Sequence, residues 1–111
     1  MRDLRLCWAA EEAGISYELR TVTFEDRETN HLDRQLFGQV PFLQDGTIRM
    51  FESGACLLYL ARKSEALMPR DALNEAETQQ WVFSALNSIE VVAVLWWFLR
   101  MTGQLNSPLG P

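Results

Sequence analysis

Cysteine is scarce in these 111 residues: the two present, Cys7 and Cys56, lie far apart, each within an apolar segment. Neither a disulfide framework nor a CxxC redox pair is available, which points to reduced thiols and a cytoplasmic setting. Histidine is scarcer still. His31 stands alone in RETNHLDRQ with no cluster of acidic or thiol ligands around it, so no metal site is expected and it reads as a surface loop residue. An excess of positive charge is also missing. A formal charge of −5 and a pI near 4.8 argue against nucleic acid or an anionic membrane surface as the main partner. The N-terminal MRDLRLCWAAEE is charged from its second residue and has no apolar core of the kind a secretory signal needs. The stretch VVAVLWWFL (91–99) falls short of the roughly 20 apolar residues of a membrane span and is expected to be the buried part of a long helix.

What is present is enough for a core, since 48% of the residues are hydrophobic. Leu4, Cys7 and Trp8 recur at helical spacing with Gly14 as a stop, which predicts a first helix over 3–13. YELRTV (17–22) alternates like a strand, and 23–37 is polar and irregular with a short helix around 30–36. VPFL and TIRMF flank an Asp45–Gly46 turn and predict a hairpin. A second helix follows over 52–63, with Gly54, Leu57, Leu58 and Ala61 on one face and Arg62 and Lys63 at the end where cations are favoured. MPRDALNEAE (68–77) reads as a linker in which Asp71 or Asn74 caps a long helix running to about Thr102.

Helix, strand, polar crossover, hairpin and helix is an α/β order. GQVPFL (38–43), then DG, FES and ACLLYLARK, with MPRD behind, resembles the N-terminal domain of cytosolic glutathione S-transferases. LCWAAEEAGISYEL resembles the first helix and second strand of that family, and 76–102 the first helix of its all-α C-terminal domain. The resemblance implies a thioredoxin-like fold lacking its first strand, followed by a long helix of an incomplete α domain. Residues 1–67 would form the glutathione-binding domain, 68–73 a linker, and 74–111 the start of the helical domain. The missing strand is the one expected between YELRTV and VPFL.

The resemblance also implies site residues. Val40 would present its backbone N–H and C=O to the cysteinyl part of glutathione, with Pro41 in the cis form and Gln39 beside the peptide. Ser53, at the start of the second helix where backbone N–H groups favour an anion, would bind the γ-glutamyl carboxylate, and Glu52 would accept the ammonium. Read without the family, the same residues are an ordinary edge-strand proline and a plain helix cap.

No catalytic residue can be carried over. The family activates the glutathione thiol with a hydroxyl or thiol after its first strand, where this chain has Met1 and Arg2. Cys7 lies at least a turn too deep and reads as a core residue. Trp8 and Trp81 are likewise expected in the core or an interface, and the helix around Trp96 and Trp97 in a homodimer contact. The implied activity is conjugation of glutathione, as co-substrate, to a small electrophile. The alternatives are a non-catalytic glutathione-binding or protein-interaction module on the same scaffold and, disfavoured by the missing CxxC, a thioredoxin-type redox protein.

Overall fold

A computed structural model describes residues 2–106. The chain divides into two compact units, Met1–Glu75 and Ala76–Pro111.

In the first unit, helix α1 spans Leu4–Ala13 and ends on Gly14 in the left-handed conformation. The Gly14 N–H bonds the Glu11 carbonyl and the Ile15 N–H the Ala10 carbonyl, a paired closure that satisfies the orphan carbonyls of the last turn. The predicted strand over 17–22 does not form. Residues 15–23 belong to no helix or strand. Alternation gives a segment two faces, but a strand exists only when a neighbour takes its backbone groups, and among the described residues only β1 and β2 pair. The polar crossover condenses into one turn of helix, α2 (Phe24–Arg27), and a 3-10 turn at Asn30–Asp33. Thr23 starts α2 by accepting the Asp26 N–H on its hydroxyl at 3.2 Å.

Strands β1 (Phe42–Asp45) and β2 (Ile48–Phe51) pair antiparallel with Phe42 opposite Phe51 and Asp45 opposite Ile48. The two-residue loop is therefore Gly46–Thr47, one position later than the expected Asp45–Gly46. Of its two residues only Gly46 has positive φ, +59°, the II′ sense in which glycine leads. Asp45 is held in the ladder, and its carboxylate accepts from the Tyr59 hydroxyl at 2.7 Å and from Lys63 Nζ at 2.5 Å.

Those hydrogen bonds, Lys63 first and Tyr59 second, lower the Asp45 pKa, and the one to Asp45 raises that of Lys63. A depressed carboxylate stabilises the fold above its unfolded pKa and loses that contribution as pH falls through the folded value. A raised ammonium does so below its unfolded pKa and loses it as pH rises through the folded value. The stability difference between the wild type and Asp45→Asn is expected to be small, constant from about pH 5 to 9, and to vanish in acid. Urea denaturation at several pH values measures it.

Helix α3 (Ser53–Ala61) buries Ser53, Gly54, Cys56, Leu60 and Ala61, so its inward face is turned from the expected one and leaves Leu57 and Leu58 half-buried. It packs on α1, whose buried residues are Ala9 and Ala10, and also touches both strands. Small residues on both helices permit that close approach. Met68 completes the core of this unit.

The long helix begins at Ala72 and runs as α4 (Ala72–Ser84), a π-helical stretch at Ala85–Glu90, and α5 (Val91–Met101). Asp71 is the cap: its Oδ1 accepts the Asn74 N–H at 3.0 Å. Within α5 only Leu99 is buried, whereas Val92, Trp96 and Trp97 are 66%, 45% and 53% exposed, so the 91–99 run is not interior. Trp8 and Trp81, 71% and 67% exposed, are not core residues either. By length and composition the continuous Ala72–Met101 helix is also sufficient for a membrane span, with a mean hydropathy of 1.8 in its most apolar window. The same test is passed by core helices of soluble proteins.

Candidate functional site

The hairpin register assembles the site. Phe42 faces Phe51 across the ladder, so Pro41, just before Phe42, and Glu52, just after Phe51, leave the sheet side by side. Gln39, Val40, Pro41, Glu52 and Ser53 therefore converge at one end of the hairpin. The Val40–Pro41 bond is cis, as the resemblance implies.

Glu52 has φ +70° and ψ 114°, a conformation that a side chain rarely adopts. Its exposed carboxylate stands at the mouth of α3, while Ser53 is buried at 6% exposure. Strain of this kind persists where surrounding structure holds it, and it clusters at ligand sites. Here the paired Phe51 on one side and the packed helix on the other hold it.

The start of the chain closes over the same end. An Arg5 guanidinium nitrogen lies 3.5 Å from Ser53 Oγ, and one of Arg2 lies 3.4 Å from Gln39 Oε1. Two cations thus border a region that already has the positive end of a helix, which suits an anionic ligand. Sequence reasoning missed both arginines. Their signal is an i, i+3 spacing at the start of an amphipathic helix, which usually means a solvated face.

Gln39 is exposed, yet its backbone is anchored. Its N–H donates to Gln35 Oε1 at 3.3 Å, and its carbonyl lies 2.6 Å from His31 Nε2. His31 is 1% exposed, which overturns its assignment to the surface. The polar neighbours of HLD made it look solvated, but a 3-10 turn points one of its residues inward and this turn points the ring. An open recess of about 360 Å³ lined by Phe24, Arg27, Glu28, Leu32, Phe37 and Gly38 borders the same loop and contains none of the five expected residues.

Cys56 is not placed for thiolate chemistry. Burial pushes the Cys56 thiol up to about 11, and its Sγ donates to the Met50 carbonyl at 3.7 Å. Cys7 is half-buried in α1 rather than a core residue. Iodoacetamide at neutral pH is expected to alkylate Cys7 first and Cys56 only on unfolding, which peptide mass spectrometry resolves. No group of three or more potential metal ligands occurs among the described residues.

Residues 1–62 match the family model described as the N-terminal domain of glutathione S-transferase. The chain belongs to the glutathione S-transferase superfamily. Glutathione S-transferase 1 of Zea mays is 45% identical over 76 residues, 65% of this chain and 36% of that protein. A probable glutathione S-transferase, GSTF1, of Oryza sativa subsp. japonica is 34% identical over 110 residues, 96% of this chain and 45% of its own length. Among solved structures, glutathione S-transferase I from maize, in complex with an atrazine glutathione conjugate, aligns with a TM-score of 0.65 at 38% identity, covering 78% of this chain and 44% of that one. The chain thus spans less than half the length of these relatives, and it has the thioredoxin-like N-terminal fold of the superfamily followed by a long helix.

Proposed function

We propose that this glutathione S-transferase-like chain binds glutathione at the hairpin end and that, in the whole protein, the bound thiol is conjugated to a small electrophile. The observation that carries the reading is the juxtaposition of the 39–41 segment with the N-terminus of α3, bordered by Arg5. In this reading the Val40 N–H and C=O take the cysteinyl backbone, and Gln39 lies beside the peptide. Ser53 Oγ and the α3 amides take the γ-glutamyl carboxylate, while Glu52 takes its ammonium. Arg5 supplies long-range attraction to the same carboxylate. Glutathione is the co-substrate and no metal is invoked. The protein is read as cytoplasmic, with residues 1–67 as the binding domain, 68–73 as linker and 74–111 as the start of the helical domain.

These residues bind and orient; conjugation also needs a donor that holds the sulfur as thiolate, and no residue of this chain is assigned to that task. Alignment of a glutathione S-transferase with 96% of the chain favours a protein-covered helix at 72–101 over a membrane-spanning one, and a homodimer is the simplest cover.

Calorimetry with glutathione tests the placement. Ser53→Ala removes a hydroxyl contact to a charged group worth about 1.5–3 kcal/mol, so affinity is expected to fall about ten-fold or more. Unchanged affinity in this variant would show that the carboxylate binds elsewhere.

A further inference from the structure

We propose that His31, assisted by Gln35, is a positioning residue that aims the Val40 N–H at the ligand; the inference rests on the glutathione-binding reading. His31 Nε2 lies 2.6 Å from the Gln39 carbonyl oxygen. A carbonyl only accepts, so this ring nitrogen carries a proton. Nδ1 is buried without a hydrogen-bond partner. A ring retained for packing alone would be better replaced by an apolar one, because a buried, unpaired nitrogen is unfavourable.

The ring brackets the binding segment. Besides bonding Gln39, it meets the Phe42 ring edge to face, with centroids 6.4 Å apart and planes at 86°. It therefore touches the residue on each side of Val40–Pro41. Gln35, 2% exposed, accepts the Phe37 and Gln39 N–H groups on one oxygen at 2.6 and 3.3 Å. Both polar groups of Gln39 are thus held from beneath.

Peptide planarity turns this clamp into an orientation. The Gln39 carbonyl and the Val40 N–H belong to one peptide unit, which is trans, since Val40–Pro41 is the cis bond found in the chain. In a trans unit the two groups point in opposite directions. Drawing the carbonyl inward to His31 directs the Val40 N–H away from the core, toward the side where a ligand backbone would pair. Donors fixed before binding spare the ligand the ordering entropy.

The test compares His31→Phe, which fills the space without a donor, with His31→Gln, whose amide can donate to the same carbonyl. In glutathione calorimetry His31→Phe is expected to weaken binding about ten-fold, and His31→Gln to stay within about three-fold of the wild type. In the free protein, ring 15N shifts should show the Nε2–H tautomer. The Val40 N–H residual dipolar coupling should change in His31→Phe and be restored in His31→Gln, with α1 and α3 signals unmoved. A proton on Nδ1 in place of Nε2, or an unchanged Val40 coupling in His31→Phe, overturns the proposal. So does a loss of affinity equal in both variants and proportional to their loss of thermal stability. If the wild type binds no glutathione, the functional reading falls, and the tautomer and the Val40 coupling still decide whether His31 orients the peptide.

Discussion

Gly38→Ala is expected to destabilise the first unit by about 2–6 kcal/mol in urea denaturation, combining backbone strain of about 1–3 kcal/mol with overpacking of similar size. Gly38 has φ +63°, and a Cβ there would lie 2.4 Å from the Arg27 carbonyl oxygen. That oxygen is backbone, so relief requires the α2 turn to move away from the loop. Gly14 is the control: its φ is +66°, but nothing lies within 4 Å of the place a methyl would take. Gly14→Ala should therefore lose only about 1–2 kcal/mol, the conformational part. Equal losses in the two variants would show that the contact with Arg27 is irrelevant. Gly38 also precedes Gln39, and its N–H bonds the Gln35 carbonyl at 2.9 Å. The same variant should weaken glutathione binding beyond its loss of stability.

At micromolar concentration the chain is expected to sediment as a dimer or larger assembly rather than a monomer. Val91, Val92, Leu95, Trp97 and Met101 are each more than half exposed. Burying side chains of this size is worth about 1.5–3 kcal/mol apiece, far more than isolated surface residues contribute. Trp97→Glu would place a charge in the contact and should raise the dissociation constant about thirty-fold, the equivalent of about 2 kcal/mol. Acrylamide quenching should reach the tryptophans more readily in that variant. A stable wild-type monomer whose tryptophans are shielded from the quencher would mean that the chain covers this face itself.

Local chemistry was legible in the sequence wherever a residue type has one dominant backbone consequence. Gly14 ends α1, Asp71 caps the long helix, and Pro41 and the Glu52–Ser53 pair bracket the hairpin as the family resemblance implied. Legibility failed where the outcome depends on a partner distant in sequence. Tyr17–Val22 has the composition of a strand, but composition cannot supply a neighbour to pair with. The turn lies one residue later than Asp45–Gly46, and the Asp45 carboxylate is instead engaged by Tyr59 and Lys63, both distant from it in sequence. His31 and Gln35 were invisible because one inward ring and one inward amide in a polar segment leave no periodic signal. Arg5 was missed for the opposite reason, since it sits where a solvated arginine is ordinary.

The π-helical stretch between Ser84 and Val91 changes how the long helix can be read by whatever lies along it. A turn closed by i→i+5 bonds holds one more residue than an α turn, and each residue so accommodated rotates everything downstream by about 100°. On an unbroken α-helix the sixteen positions from Trp81 to Trp97 would set the two residues about 160° apart around the axis. The residue absorbed by the π-helical stretch takes about 100° from that angle, so the stripe of α4 and the stripe of α5 come nearer to one face. One body lying along that face can touch both.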